Sequence, residues 1–193
     1  MPATCMLIGE KPGERESHTG RPFVGPAGAY LDVCLTAANI DRKSIYVTNL
    51  VKEFTGYSKP TRAEIDRDHE ELVSEILCCA PEVIGLVGGW AIENVLFREK
   101  AEIERIHGCP FRMPSLFGDE LPCEGGWVIV PILHPANAVH SSESMPHILN
   151  DFLVLGQLLD GEIGIPEDDP YVGKEDYRVV NAKSLAKILR CKL

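Results

Sequence analysis

Three side chains that could bind or activate a small molecule occur at three successive loops predicted at the carboxyl ends of strands. Phe23 lies in the glycine- and proline-rich stretch Ile8–Gly28, Asn49 ends a β-rich segment, and His134 follows an apolar one. An aromatic ring can stack on a flat ligand, a carboxamide can donate and accept hydrogen bonds, and an imidazole can transfer a proton. Each residue alone has an ordinary explanation, as a core aromatic, a turn residue and a buried histidine. Their occurrence in order at three such ends favours one shared pocket.

The segments between these residues alternate between strand and helix patterns. Strands are predicted at 5–8, 45–51, 82–87 and 127–133, and helices at 27–38, 61–79, 90–97 and 146–159. Thr61, with Glu64 three residues later, has the pattern of a capping box at a helix start. This alternation predicts a three-layer α/β/α sandwich around a central four-stranded parallel sheet. The stretch 100–126 is broken by Gly and Pro, and we expect an irregular lobe there.

In such a sheet, ligands bind outside the carboxyl ends of the strands, which is where the three side chains are predicted to lie. The stretch Ile8–Gly28 contains five glycines and three prolines, more than a simple connector needs. A long surface loop that uses these residues for turns alone remains the alternative. An enzyme acting on a phosphorylated small molecule is a further alternative, but the chain has neither G-x-G-x-x-G nor a P-loop motif.

Three ordered motifs resemble those of the family 4 uracil-DNA glycosylases. Residues 9–14 read Gly-Glu-Lys-Pro-Gly-Glu and residues 19–25 read Thr-Gly-Arg-Pro-Phe-Val-Gly, followed by Ala27-Gly28. Residues 46–52 read Tyr-Val-Thr-Asn-Leu-Val-Lys, and residues 134–136 read His-Pro-Ala. The resemblance covers about residues 4–159. It implies a monofunctional DNA glycosylase that hydrolyses the N-glycosidic bond of uracil flipped out of DNA, in base excision repair.

The resemblance also implies catalytic roles. Phe23 would stack on uracil, Asn49 would read the far edge of the base, and His134 would donate to uracil O2 in the transition state. This chemistry suits the reaction, because uracil leaves as an anion and needs a donor aimed at the developing charge. Glu10 would place the attacking water or the target phosphate.

Further residues are expected to bind the substrate. Backbone N–H groups at the helix start Gly25–Gly28 could hold a phosphate. Lys11, where the family usually has a small residue, could pair with Glu10 or reach a phosphate, and Ser141 beyond the third motif could also contact one.

The chain departs from the family at the expected cofactor site. Members usually hold an iron–sulfur cluster on four cysteines, two ahead of the first motif and two around the second loop. The chain begins too late for the first pair, and Glu53 and Asp68 occur where the second pair is expected. Carboxylates do not replace thiolates as cluster ligands, so we expect no cofactor and no metal. In the last motif, residues 138–140 are smaller than in the family, which favours single-stranded or unpaired uracil.

Composition limits the partners. The net charge is −10, which is unusual for a DNA-binding protein, yet six basic residues fall in or near the proposed site loops and could form a local patch: Lys11, Arg15, Arg21, Lys52, Lys59 and Arg62. The seven cysteines form no C-x-x-C, so they indicate neither a zinc site nor a disulfide framework. No apolar stretch is long enough to span a membrane. We expect a cytoplasmic protein, or one in the nucleoid or, for a virus, the host cell interior.

We expect residues 1–160 to form the glycosylase-like domain and residues 161–193 to form an acidic linker with a C-terminal strand and helix. The phrase starting at Tyr177 is faintly similar to the opening of the proofreading exonuclease domain of family A DNA polymerases. A DNA polymerase or replication protein is therefore a possible partner, and a helix that docks on the sheet is the alternative. A non-catalytic module that binds DNA or such a partner is the second functional hypothesis.

Overall fold

The computed structural model describes residues 3–97, 103–118 and 120–165. Its strands are β1 (Cys5–Gly9), β2 (Ile45–Asn49), β3 (Val83–Val87), β4 (Phe111–Leu116) and β5 (Leu121–Ile132). Its helices are α1 (Glu14–Thr19), α2 (Pro26–Ala37), α3 (Arg62–Cys79), α4 (Gly89–Val95), α5 (Ile103–Ile106), α6 (Ala136–His140) and α7 (Met145–Leu159), with a 3-10 turn at Ser142–Ser144. Most of the predicted linker and appendage, residues 166–193, lies outside the described residues.

One five-stranded sheet has the strand order β2-β1-β3-β5-β4. β1, β2, β3 and β5 are parallel neighbours, as the alternating pattern predicts. The predicted count of four strands was wrong, because β4 pairs antiparallel with β5 at the edge of the sheet. The register shifts between Met113 and Ser115, around Pro114, and proline is tolerated in a sheet at such edge and bulge positions. The expected irregular lobe is therefore mainly a hairpin.

The centre of the sheet is fully apolar. Every residue of β1 and β3 is buried, as is usual for parallel strands covered on both faces. Helices α2 and α7 pack closely, and a side-chain carbon at Gly156 would lie 2.4 Å from the Ala38 carbonyl oxygen. This core fixes the strands whose ends carry the candidate site.

Two helix starts show how local sequence determines structure. α3 begins after Thr61 with both hydrogen bonds of the predicted capping box, and it ends at Cys79 as expected. α1 was not predicted, since Glu14–Thr19 was read as part of a continuous loop. It ends at Gly20, which has a φ of 66°, and none of its residues is buried. No apolar stripe marks this helix in the sequence.

Backbone hydrogen bonds continue past the strand ends and hold the site loops in place. Leu50 N–H donates to the Gly9 carbonyl at 3.0 Å, and Val51 N–H donates to the Glu10 carbonyl at 3.1 Å. On the other side of β1, Gly88 N–H donates to the Ile132 carbonyl at 2.8 Å. The ends of β1, β2, β3 and β5 therefore meet at one edge. Among the described helices, none is long and apolar enough to cross a membrane.

Candidate active site

The aromatic wall of the site is Phe23, which has an unusual backbone. Its φ is 53°, a left-handed conformation that costs a non-glycine residue about 1–2 kcal/mol. The Arg42 guanidinium donates to the carbonyls of Pro22 and Phe23, both at 2.9 Å. A side-chain carbon at Gly28 would lie 1.9 Å from the Phe23 carbonyl oxygen, so only glycine permits this approach. The hydrogen bonds from Arg42 and the absence of a side chain at Gly28 together hold the Phe23 ring in the site.

The predicted trio of Phe23, Asn49 and His134 lines one cavity of about 190 Å³. The rings of Phe23 and His134 are stacked, with centroids 5.8 Å apart and an angle of 29° between their planes. A side-chain carbon at Gly9 would lie 2.4 Å from Asn49 Oδ1 and 2.7 Å from the Phe23 ring. The volume is below the roughly 300–1,000 Å³ of sites for drug-sized ligands and suits one small heterocycle.

A larger groove of about 430 Å³ runs beside this cavity along β2 and shares Asn49 with it. Neither Phe23 nor His134 lines that groove. We assign the site to the smaller cavity, because it combines the aromatic, amide and imidazole groups.

Asn49 is a buried residue that lines the cavity with its carboxamide. It ends β2 opposite Gly9, and only 7% of the residue is exposed. Among the described residues, none forms a hydrogen bond with its carboxamide. A buried amide normally has a partner, and leaving one unsatisfied costs about 1–3 kcal/mol. Because this amide lines the cavity, a ligand with a complementary edge would satisfy it.

His134 has a defined tautomer. Its Nδ1 accepts the Ala136 backbone N–H at 3.1 Å, so the neutral ring carries its proton on Nε2. Burial, and secondarily the positive charge of Lys59, lower the pKa of His134 from 6.5 to about 4. At neutral pH the imidazole is therefore an uncharged donor.

Glu10 lies close to His134 on the side of β3. A side-chain carbon at Gly88 would lie 2.8 Å from Glu10 Oε1 and 3.1 Å from His134 Cδ2, so both groups converge on that glycine. Lys59 Nζ lies 3.7 Å from Glu10 Oε2. Sequence reasoning placed Lys59 in a basic patch and missed this pairing with the acid.

Lys11 lines the cavity, but its ammonium group contacts the second loop, residues 52–60. Nζ donates to Thr55 Oγ1 at 2.8 Å. The lysine beside Glu10 is Lys59, whereas the sequence had suggested Lys11 for that pairing. Lys11 thus joins the loop after β1 to the loop after β2.

Glu16 is a site residue that the sequence analysis missed. One of its carboxylate oxygens accepts the backbone N–H groups of Val24 at 2.8 Å and Gly25 at 2.7 Å. The Gly25 amide, expected to be available to a phosphate, is therefore already used within the protein. Gly25 and Glu16 both line the cavity. Nothing in the spacing of the acidic residues of this loop distinguishes Glu16 from Glu14.

The other predicted binding residues lie outside the cavity lining. Gly28 lies beneath the Phe23 carbonyl, and Glu10 lies behind His134. Ser141 is exposed at the end of α6, where its N–H donates to the Asn137 carbonyl at 2.8 Å.

The expected basic patch is smaller than the sequence suggests. Lys52 is mostly buried, and its Nζ donates to Thr48 Oγ1 at 2.7 Å and Glu75 Oε2 at 2.5 Å. Arg62 pairs with Asp66 on the same helix at 2.9 Å. These two cations support the fold, and Arg15, Arg21 and Lys59 remain exposed near the site loops.

The positions expected for cluster ligands carry an ion-pair network. The Arg67 guanidinium lies 3.2 Å from Glu53 Oε2 and donates to both oxygens of Asp68, at 2.6 and 2.8 Å. Asp68 also accepts the Lys52 backbone N–H at 2.7 Å. These hydrogen bonds, that of Arg67 above all, lower the pKa of Asp68 against the effect of burial. Within the described part of the chain, no three His, Cys, Asp or Glu residues are grouped to hold a metal ion.

The fold and site together define an α/β protein with a small cavity, lined by aromatic, amide and imidazole groups, at the carboxyl edge of its sheet. Residues 2–153 match the family model of the uracil DNA glycosylase superfamily, and the chain belongs to that family.

Three relatives bear the name type-4 uracil-DNA glycosylase. The one from Saccharolobus solfataricus is 41% identical over 83% of this chain and 73% of its own length. The one from Thermotoga maritima is 33% identical over 68% of this chain and 64% of its own length. The one from Archaeoglobus fulgidus is 28% identical over 81% of this chain and 77% of its own length. Residues 2–153, which the family model matches, contain all three motifs that carry the resemblance.

Proposed function

We propose that this protein is a uracil-DNA glycosylase that acts in base excision repair. The observation that carries the proposal is the convergence of Phe23, Asn49 and His134 on one cavity, with the Asn49 carboxamide buried and unpartnered among the described residues. Family membership and the names of the relatives support the same activity. A further proposal is that residues 1–160 suffice for it.

Uracil would enter the cavity as an extruded nucleotide. The Phe23 face would cover one side of the ring, and the Asn49 amide would pair with the edge that presents one N–H donor and a carbonyl acceptor. Cytosine offers a different pattern at that edge, so the buried amide would be left partly unsatisfied. Such an unsatisfied buried polar group can discriminate strongly against cytosine.

His134 would stabilise the leaving group. As the N-glycosidic bond lengthens, positive charge develops on the sugar and negative charge on uracil. The Nε2–H of the neutral imidazole would donate to uracil O2, where the charge accumulates. Hydration of His134 is limited by its burial, which strengthens this interaction. Removal of a donor of this kind typically slows a reaction about 100- to 1,000-fold.

Glu10 would place the attacking water beside the sugar, supported by the Lys59 ammonium group at 3.7 Å. Lys11 would serve binding by holding the second loop against the cavity. Gly25 and Gly28 would do so by allowing the Phe23 loop to approach α2, and Ser141 would contact the DNA backbone at the exposed end of α6. Unpaired uracil would be preferred, because the side chains of residues 138–140 are less bulky than those usual in the family and fill the vacated stack less well.

We also propose that the enzyme works without an iron–sulfur cluster. Glu53 and Asp68, at the positions expected for cysteine ligands, are joined by Arg67 into a network that attaches the second loop to α3. Thiolates are the usual ligands of such clusters, and these carboxylates already have cationic partners. Iron analysis and a visible absorption spectrum of anaerobically purified protein test this. Stoichiometric iron in active wild-type protein would refute the proposal, and its persistence in a Glu53→Ala, Asp68→Ala double variant would place the cluster elsewhere.

The activity test uses a single-stranded oligonucleotide with one uracil, treated with alkali after incubation to cleave abasic sites. We expect scission by the wild type, a loss of about 100-fold or more in Asn49→Ala and His134→Ala, and little change in His147→Gln, which removes an exposed histidine of α7. The absence of scission by folded wild-type protein would favour the non-catalytic binding module. Scission undiminished in Asn49→Ala would refute the assignment of the pocket.

A further inference from the structure

Tyr57 is an exposed aromatic side chain that the structure nevertheless holds in one orientation. The residue is 84% exposed, more than any other large hydrophobic residue in the described part of the chain. Its hydroxyl donates to Glu14 Oε2 at 2.6 Å. Its ring also packs edge-to-face with Phe54, with centroids 5.5 Å apart and an angle of 78°. Two contacts thus restrain the ring, while most of its surface remains in water.

The second loop, which carries Tyr57, contacts residues of the proposed uracil site on both sides of the tyrosine. Thr55 is bound by Lys11, which lines the cavity, and Lys59 lies beside Glu10. Glu14, the partner of the Tyr57 hydroxyl, follows directly after Gly13, which also lines the cavity. These contacts connect the loop segment around Tyr57 to the cavity.

An exposed cation follows this ring in the second loop and suits a nucleic acid strand, while the Glu14 carboxylate binds the Tyr57 hydroxyl. Lys59, two residues after Tyr57, has 75% of its side chain exposed and could contact a phosphate next to a base on the ring. Single-stranded nucleic acids are commonly bound by aromatic side chains that stack on successive bases beside cations that contact the backbone. A ring that is already oriented loses less conformational freedom on binding.

We propose that Tyr57 is a stacking platform for the unpaired base next to the extruded uracil, on one of its two flanks. This inference rests on the proposed glycosylase function and adds a second base-binding site to it. The ligand class is an unstacked nucleobase of any identity, because every base has a flat face. The platform contributes to binding of single-stranded substrate and does not touch the bond that is broken.

The alternative is that Tyr57 only braces the loop through its hydrogen bond to Glu14. The two roles differ in what they require of the ring. Stacking needs an aromatic face and tolerates loss of the hydroxyl, whereas bracing needs the hydroxyl and is indifferent to the substrate's neighbouring bases. Tyr57→Phe, Tyr57→Leu and Tyr57→Ala separate these requirements at one position.

The experiment measures kcat/KM for single-stranded oligonucleotides with uracil flanked by normal bases, or by an abasic tetrahydrofuran residue on the 5′ or 3′ side. With normal flanks we expect Tyr57→Ala and Tyr57→Leu to lose about tenfold, mainly through KM, and Tyr57→Phe to retain at least half of the wild-type value. With the abasic residue on one particular side, wild type and Tyr57→Ala should become equal within about twofold. Leu77→Ala, an exposed apolar residue on α3, serves as the matched control and should behave as wild type.

Two results would overturn the platform. One is evidence for a brace: a Tyr57→Ala defect that stays the same with either flank abasic, or that Tyr57→Phe shows to the same degree. The other is no defect at all in Tyr57→Ala. Either is distinct from failure of the proposed function, in which the folded wild type cleaves none of the substrates. Circular dichroism and thermal melting of each variant establish that the comparison is made between folded proteins.

Discussion

Between about pH 7.5 and about pH 5 we expect His134 to remain neutral in the folded protein, and the cleavage step to lose little activity through this residue. Its pKa is lowered from 6.5 to about 4, first by burial and second by the Lys59 ammonium group. A proton added to this ring would place a cation in a poorly hydrated site close to another cation. The hydrogen bond from Ala136 to Nδ1 also requires that nitrogen to be unprotonated.

The size of the effect follows from the two pKa values. At about pH 5 a histidine with a pKa of about 4 is about 9% protonated, whereas one with a pKa of 6.5 is about 97% protonated. The shift corresponds to about 3 kcal/mol in favour of the neutral ring. The unfolded chain binds this proton near pH 6.5 and the folded protein only near pH 4. Between about pH 6.5 and about pH 4 the unfolded chain therefore binds more protons at His134 than the folded protein does. The free energy of unfolding keeps the full His134 contribution above about pH 6.5 and loses it as the pH falls towards about 4.

Single-turnover cleavage of a uracil oligonucleotide at intervals from about pH 8 to about pH 4.5 measures the functional consequence. NMR titration of the imidazole nitrogens measures the pKa itself, with resonances assigned through His134→Gln. In Lys59→Gln, removal of the second cause should move the His134 pKa part of the way back towards 6.5. His147→Gln is the matched control, because it removes an exposed histidine outside the site and should leave the profile unchanged.

An inflection in the cleavage rate near pH 6.5, accompanied by titration of the His134 resonances at the same pH, would refute this reasoning. It would mean that the ring is well hydrated in the folded protein. A pKa for His134 unchanged in Lys59→Gln would refute the charge contribution alone and leave the effect of burial.

Three substitutions test the supports of the site. Gly9→Ala should reduce cleavage at least 100-fold, because its new carbon would lie 2.4 Å from Asn49 Oδ1 and 2.7 Å from the Phe23 ring; single-turnover rates measure this. Arg42→Gln should weaken substrate binding and destabilise the fold by about 1 kcal/mol through loss of the bonds to the loop carbonyls, as measured by KM and urea unfolding. Asp151→Ala should cost about 2 kcal/mol, because this fully buried carboxylate accepts the Leu133 backbone N–H at 2.9 Å and binds His107 Nδ1 at 2.7 Å. Asp151→Asn should cost less than Asp151→Ala, because its carbonyl can still accept the Leu133 N–H.

A control variant and a contradicting result can be named for these three predictions. Gly164→Ala, where an added carbon meets nothing within 4 Å, should retain full activity. Wild-type cleavage by Gly9→Ala would show that the two side chains can move apart without consequence. An unchanged KM in Arg42→Gln would mean that the left-handed backbone of Phe23 is kept without the hydrogen bonds from Arg42. Equal destabilisation by the two Asp151 variants would mean that the buried negative charge, and not the acceptor, matters.

Much of the fold could be predicted because local signals and periodicity agree. The helix opened by Thr61 and Glu64 has an N-terminal cap and an apolar stripe, and both of its ends were predicted correctly. The segment around Pro114 has neither a clear alternation nor a helical stripe. Its strand forms only because the long partner Leu121–Ile132 offers an edge for pairing, and a single-sequence pattern cannot reveal such a long-range effect.

The location of the candidate site could be predicted, because it follows from where the parallel strands end. The three strand-end residues were placed together correctly, because parallel strands deliver their loops to one edge. The partners of charged side chains were not predictable. Lys11 bonds across to Thr55, and Glu16 accepts amides eight and nine residues further along the chain. Such pairings depend on how two loops fold against each other, which spacing alone does not determine.

Gly88 has a consequence for the engineering of this protein. A side-chain carbon there would meet Glu10 and His134 first, and Gly88 has a φ of 94°. A side-chain carbon at Gly9 would instead meet Asn49 and Phe23. On the proposed roles, recognition of the base and scission of the sugar bond would therefore depend on different glycines. A substitution at Gly88 would impair scission first and leave a protein that still binds uracil, a uracil sensor derived from a repair enzyme.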